Sequence, residues 1–322
     1  MGKLALVLGA TGGIGGEAAR VLAASGWTVR ALHRDPSRLA GRDRLPVTWL
    51  TGDAMRRDDV VSAAGETSLI VHAVNPPGYR NWSELVLPMA DNTIAAARAV
   101  GARIVLPGTI YNYGPDAFPL IGEEAPQNPT TRKGAIRVEM ERRLRDAAAG
   151  GVRTLVVRAG DFFGPQAANS WFSQALVKPG TRVTSVVNPA AVGAGHQWAY
   201  LPDVAATMLR LIERDTELPT FASFHMEGHW DPDGQSMVGA IRRAVGRPDL
   251  RMRRLPWWAL ALASPVVPLC RELVEMRYLW RQPVRLDNAR LVRFLGGEPH
   301  TPLDEAVRKT LQGIGCMATS AA

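Results

Sequence analysis

The sequence predicts an α/β fold: a doubly wound parallel sheet followed by a smaller mixed C-terminal lobe. Three observations predict it. Short apolar runs alternate with helical stretches through the first half of the chain. A glycine cluster sits between the first apolar run and the first helical stretch. From about Gly164 the alternation gives way to irregular segments in which proline, glycine and tryptophan are frequent. The expected division is residues 1–165 for the sheet domain and 166–322 for the lobe, with segments that return to the sheet. No flexible linker separates them, so close packing is expected.

The elements follow in order. Lys3 to Leu8 reads as a buried strand, and Gly12 to Ala24 as a helix closed by Gly26. Strand signals recur at Thr28 to His33, Pro46 to Leu50, Ser68 to Ala73, Arg103 to Leu106 and Val152 to Arg158. Helical stretches lie between them at Met55 to Ala64, Ser83 to Val100 and Arg132 to Ala149. Strand–helix alternation with short connections implies right-handed crossovers and helices on both faces. Ligands of such sheets bind at the carboxyl ends of the strands. In the second half, Val204 to Arg214 is a helix with Asp203 as its expected N-cap, and Ser236 to Val245 is another, stopped by Gly246 and Pro248.

Composition narrows the function classes. Of 322 residues, 46% are hydrophobic and 21% charged, which supports a large core and excludes wholesale disorder. A net charge of +8 favours anionic partners, phosphorylated cofactors among them. Two cysteines, Cys270 and Cys316, exclude a disulfide framework and a thiolate-rich metal site, and they fit a reducing, cytoplasmic setting. The start of the chain does not read as a signal peptide, and Leu6 breaks the myristoylation pattern. The longest apolar stretch, Leu255 to Cys270, contains Pro256, Pro265 and Pro268 and is too short to span a membrane. It is expected as a buried or partner-facing helix pair, and membrane contact is not expected.

The glycine cluster is Gly9-Ala10-Thr11-Gly12-Gly13-Ile14-Gly15, spaced G-x-x-G-x-x-G. Glycine serves here for a tight turn, for close approach of the backbone to a pyrophosphate, and for helix-to-strand packing. The helix that follows offers free N–H groups and a positive dipole end to phosphates. A dinucleotide-binding, Rossmann-like site is therefore expected around Gly9, Thr11, Gly12, Gly13 and Ile14. The second strand ends in His33-Arg34, with Arg38 one turn later. Cations at that position accept a ribose 2′-phosphate, whereas NAD sites place a carboxylate there. Arg34 and Arg38 favour NADP; Asp35 leaves NAD open.

Further residues resemble the extended short-chain dehydrogenase/reductase family, which holds nucleotide-sugar epimerases and dehydratases. Gly52-Asp53 resembles the segment after the third strand, and His72-Ala73-Val74 the fourth-strand segment lining the cofactor. Asn92-Thr93 is similar to the central-helix pair, Arg158 to Pro165 to the R…N…YGP stretch, and Tyr200 to Ala205 to a helix start in the C-terminal lobe. The resemblance implies cofactor contacts from Asp53, Ala54, Ala73, Val74 and Asn75. It also implies a small-molecule substrate, which extends to nucleotide sugars, and a homodimer built on the helices at Ser83 to Val100 and Arg132 to Ala149.

The resemblance further implies a Ser or Thr, a Tyr, and a Lys four residues after the Tyr. Thr109 fits the first, with Tyr113 at the family spacing. A hydroxyl there polarises a substrate oxygen. The Tyr-x-x-x-Lys pair is absent: Lys133 stands in the tyrosine slot and Arg137 in the lysine slot. Lys133 is expected to transfer the proton, its charge disfavoured by the neighbouring Arg137 and by burial. Arg137 is expected to hold the nicotinamide ribose, and Tyr111 or Tyr113 is the second choice for proton donor.

No metal is expected. His225 and His229 lie i, i+4 in a segment that reads as strand, with no carboxylate cluster. Asp161 and His196 have the chemistry of a proton relay, but nothing in the sequence brings them together. No G-x-S-x-G elbow occurs, and no nucleic-acid reading module accompanies the basic stretches. The reading is an NADP(H)-dependent oxidoreductase or epimerase-like enzyme acting on a carbonyl or alcohol. The alternative is a non-catalytic NADP(H)-binding sensor or interaction protein of the same fold.

Overall fold

The computed structural model describes residues 2–39, 45–76, 81–167 and 170–318. Strand β1 (Leu4–Leu8) lies near the middle of a seven-stranded sheet. On one side come β2 (Thr28–His33) and β3 (Thr48–Thr51). On the other come β4 (Leu69–His72), β5 (Arg103–Gly108), β7 (Thr154–Arg158) and β11 (Phe221–His225). Every neighbouring pair is parallel. β11 comes from the second half of the chain and forms an edge of the sheet. Its register sets Phe221 against Thr154 and His225 against Arg158.

The strand period of two sorts the core into two layers. Ala5 and Val7 of β1 face α1 (Gly13–Ala24), α5 (Leu201–Ile212) and α9 (Ala289–Leu295). Leu6 and Leu8 face α2 (Arg57–Ala64), α3 (Trp82–Val100) and α4 (Arg132–Ala149). Helices therefore cover both faces, as continuous apolar strands require.

A third cluster fills the lobe, with Phe163, Phe172, Trp198 and Trp280 among its fully or nearly buried rings. Three small sheets frame it. One pairs β12 (His229–Asp231), β10 (His196–Tyr200) and β8 (Asp161–Phe163). The others pair β13 (Arg251–Arg254) with β9 (Ser185–Asn188), and β14 (Arg285–Leu286) with β6 (Leu120–Ile121). The amphipathic helices α6 (Ser236–Ala244) and α10 (Leu303–Gly313) pack together against the same cluster.

One expectation needs correction, and another, the buried or partner-facing helix pair, loses only its buried alternative. Helix α5 starts at Leu201, so Asp203 lies inside its first turn and is not the N-cap. Pro202 is accommodated at the helix start, where no N–H is needed. The Asp203 carboxylate instead accepts from the Thr301 backbone N–H (2.8 Å) and hydroxyl (2.7 Å). The apolar stretch forms a helix pair, α7 (Trp257–Ala263) and α8 (Pro268–Glu275), but neither helix contributes a buried residue. Trp258 and Leu262, together with Val266 between the helices, are 71%, 74% and 82% exposed. Among the described residues no helix is long and apolar enough to cross a membrane.

Candidate active site

The carboxyl ends of β1, β2, β4 and β5 open into a cleft of about 770 Å³. Its floor is the turn between β1 and α1. Gly9 has φ +89°, and a Cβ there would lie 2.5 Å from the Ala73 carbonyl oxygen. A Cβ on Gly15 would run into the Gly9 carbonyl, so α1 seats directly on the turn. Thr11, Gly12, Gly13 and Ile14 line the cleft at the start of α1, whose first turn carries no acidic residue. That end is suited to phosphate.

The expected cofactor set falls on this cleft with one exception. Arg34 lines it at the end of β2, Asp53 and Ala54 after β3, and Ala73, Val74 and Asn75 after β4. Arg38 does not line it. The side chain is 82% exposed and pairs with Asp35 at 2.9 Å, on a carboxylate that also accepts from Ser37. The structure therefore places Arg34 in the cleft and Arg38 on the surface beside it. The residues present fit a nicotinamide dinucleotide: a side-chain-free turn, a helix end for the diphosphate, and polar groups at both ends.

The expected catalytic residues separate in the same way. Thr109 and Arg137 line the cleft. Arg137 is buried, its guanidinium 5.0 Å from the Trp82 ring and 3.4 Å from Asn75 Oδ1. Trp82 has no signal in the sequence pattern beyond its place at the start of α3. Lys133 and Tyr113 are not among the cleft-lining residues. Lys133 Nζ lies 2.6 Å from Glu272 and 3.5 Å from Glu275, and donates to the Glu272 carbonyl at 3.0 Å. These contacts tie α4 to α8. The expectation for Lys133 weighed Arg137 beside it but not these two carboxylates, which come from a distant helix.

Tyr113 is fully buried within a polar network behind the cleft. Arg158 donates twice to Glu141, at 2.9 and 2.7 Å, and once to the Thr109 carbonyl. Glu141 also accepts from Asn112 (2.9 Å) and Gln127 (3.1 Å). Burial would depress the Arg158 guanidinium, but Glu141 and Tyr113 together outweigh it and hold Arg158 charged. His225 donates from Nδ1 to the Ile121 carbonyl, so its Nε2 accepts from Tyr113 and Arg158. Asp161 and His196, unplaced in the sequence, meet at 2.9 Å, with Asp161 on the cleft wall. Among the described residues no group of His, Cys, Asp or Glu has the makings of a metal site.

Three histidines are held neutral. Burial, then Arg137, pushes His72 down to about 4. Burial, then Arg158, pushes His225 to about 3, and burial, then His300, pushes His229 to about 4. In the unfolded chain each binds a proton as pH falls through about 6.5. Their contribution to stability is thus complete above that pH and is lost as pH falls toward the folded values. Each is expected to cost up to about 1.4 kcal/mol per pH unit in that window. Melting temperatures are expected to be level above about pH 7 and to fall between about pH 6.5 and 4.5. A His225→Gln variant is expected to flatten that slope, and an unchanged slope refutes the assignment.

The whole arrangement has relatives. A model of the NAD dependent epimerase/dehydratase family matches residues 5–224. The chain belongs to that family. That family is described by NAD-dependent epimerases and dehydratases. A 3-diazoavenalumate denitrifying reductase from a Streptomyces species is 31% identical over 175 residues. That match covers 50% of this chain and 56% of the relative. Among solved structures, a UDP-glucose-4-epimerase from Stenotrophomonas maltophila, with bound NAD and formylated UDP-arabinopyranose, superposes with a TM-score of 0.76 at 15% identity, over 98% of each chain. A UDP-galactose 4-epimerase superposes with a TM-score of 0.71 at 18% identity, over 97% of this chain and 98% of its own. Both likenesses are in the fold.

Proposed function

We propose that this chain is an NADP(H)-dependent oxidoreductase acting on a carbonyl or alcohol. The observation that carries the reading is the cleft itself, where the glycine turn, Arg34, Arg137 and Thr109 converge. Bound there, the nicotinamide would supply or take up a hydride. The chain's own residues do the rest. Gly9, Gly12 and Gly13 keep the turn clear of side chains, and the start of α1 meets the diphosphate. Asp53, Ala54, Ala73, Val74 and Asn75 wall the cofactor. Arg137, held between Trp82 and Asn75, takes the ribose. Thr109 offers its hydroxyl to the substrate oxygen, on a loop pinned by Arg158. In this proposal Lys133 locks α8 onto α4 and transfers no proton. A nucleotide sugar of the kind held by the Stenotrophomonas neighbour is the first substrate to try.

Arg34 carries the preference for NADP. Titration of the protein with NADPH and with NADH, read by energy transfer from its tryptophans, is expected to show NADPH at least about tenfold tighter, about 1.4 kcal/mol. Arg34→Ala is expected to erase that difference while leaving NADH affinity in place. Equal affinities in the unaltered protein refute the preference, and binding without any turnover leaves a cofactor-binding protein.

A second reading has one observation in its favour: the lysine in the tyrosine slot is occupied by Glu272 and Glu275. The Streptomyces relative is named for reductive removal of nitrogen from a diazo compound. Hydride addition to a diazonium carbon releases N2 and needs no proton donor. Turnover of an arenediazonium but of no carbonyl favours this reading.

A further inference from the structure

We propose that Asp161, held in place by His196, is the acid–base residue of the cleft and exchanges a proton with the substrate oxygen. The inference rests on the oxidoreductase reading above.

Sheet register brings the two sides of the site together. Gly108, just before Thr109, pairs with Arg158 across β5 and β7. Asp161 follows Arg158 by three residues, at the start of β8. Thr109 and Asp161 thus leave neighbouring strands at the same end of the sheet, and both line the cleft. Asp161 is 7% exposed.

Behind it stands His196, with Nε2 2.9 Å from Asp161 Oδ2. The ring stacks on Trp280, centroids 3.6 Å apart and planes 12° from parallel. His196 Nδ1 is buried and, among the described residues, has no hydrogen-bond partner. That orphan atom decides the tautomer. A proton on Nδ1 would be a buried donor with no acceptor, a costly state. A proton on Nε2 faces a carboxyl oxygen that accepts it. His196 therefore donates from Nε2 toward Oδ2. Among the described residues Asp161 Oδ1 forms no hydrogen bond. One oxygen of the carboxyl is pinned and the other is left for the cleft, the arrangement an acid–base group requires.

The neighbouring titratable groups are committed elsewhere. Tyr278, raised by burial, then by Asp161 and Glu275, donates to the Tyr113 carbonyl at 3.2 Å. His72 is neutral at neutral pH and donates from Nδ1 to the Thr93 hydroxyl oxygen at 2.8 Å, since that hydroxyl donates to the Met89 carbonyl. Arg137 keeps its charge throughout. Among the described residues that line the cleft, Tyr111 and Asp53 are the other phenol and acid, and Asp53 lies after β3 on the cofactor side.

Carbonyl reduction adds a hydride at carbon, from the nicotinamide, and a proton at oxygen. The Asp161 Oδ1–H bond breaks as the substrate O–H bond forms, and Thr109 holds that oxygen. Asp161 is left as a carboxylate and recovers its proton from water. Oxidation of an alcohol runs the same transfer in reverse.

The test compares Asp161→Asn, His196→Gln and Tyr111→Phe with the unaltered full-length protein. Asparagine keeps the shape and an acceptor for His196 but moves no proton. NADPH and NADH affinities, by tryptophan energy transfer, are expected to stay within about twofold. Imidazole 15N shifts of the unaltered protein are expected to show His196 protonated at Nε2 and bare at Nδ1. With NADPH and a panel of aldehydes and ketones, Asp161→Asn is expected to lower kcat by about 10²–10⁴ and to abolish the pH dependence set by this group. His196→Gln is expected to shift that pH profile with a smaller loss. The proposal is overturned if Asp161→Asn keeps more than a tenth of kcat, if Tyr111→Phe takes the loss instead, or if His196 is protonated at Nδ1. An unaltered protein that binds neither dinucleotide, or turns over no carbonyl, overturns the oxidoreductase reading itself and this inference with it. Normal turnover by Asp161→Asn overturns this inference alone.

Discussion

Replacing Glu141 by alanine is expected to destabilise the fold by about 3–5 kcal/mol, the usual cost of breaking a fully buried ion pair. Arg158 and Glu141 are 1% and 2% exposed. Alanine would leave a buried guanidinium with its principal partner gone, and would also strand the amides of Asn112 and Gln127. Urea unfolding measures the loss directly. Replacing both members, Glu141→Leu with Arg158→Met, is expected to recover much of the stability, since an apolar pair fills the space without stranded charge. Turnover is expected to stay low in that double variant. Arg158 also donates to the Thr109 carbonyl, so losing it frees the loop that presents the Thr109 hydroxyl. A double variant with full activity would show that the network serves stability alone. A Glu141→Ala variant within about 1 kcal/mol of the unaltered protein would show that the charge is not buried as described.

The sheet was legible because its signals are local. Runs such as Leu4–Leu8, and the centre of Thr154–Arg158, are apolar on both faces, and only a covered parallel sheet asks for that. Gly9 and Gly15 were legible because only glycine tolerates a positive φ at one and the closeness of a carbonyl at the other. Asp203 misled because Pro202 reads equally well as the residue before a cap or as part of a first turn. The place of Lys133 outside the cleft lining was hidden for a different reason. Its partners Glu272 and Glu275 lie about 140 residues away in α8, and nothing local to α4 announces them. Asp161 and His196 likewise meet only because β8 and β10 pair, with Trp198 set against Asp161. Sequence pattern reports what a segment prefers; it does not report which segment arrives from elsewhere.

Lys133→Met is the variant that separates a lock from a proton donor. The ammonium is 3% exposed, while Glu272 and Glu275 keep 20% and 22% exposure. Removing it leaves two neighbouring carboxylates at the α4–α8 contact, with Arg271 at 3.9 Å from Glu272 as the remaining described cation. The expected cost is about 2–3 kcal/mol, less than for Glu141 because water still reaches both acids. Below the melting transition kcat is expected to stay within about tenfold of the unaltered protein, since no proton passes through this residue. Adding Glu272→Gln and Glu275→Gln is expected to restore most of the lost stability, because the repulsion disappears together with its source. The coupling between the sites, measured as a cycle, is expected to exceed about 1 kcal/mol. A proton donor would behave otherwise. Its loss would lower kcat by about 10² or more, and neutralising two glutamates on α8 could not bring a proton back to the cleft. Stability that recovers while kcat does not would return the catalytic role to Lys133. Stability and kcat that both recover would leave it as the tie that holds the exposed α7–α8 pair against the helix carrying Arg137.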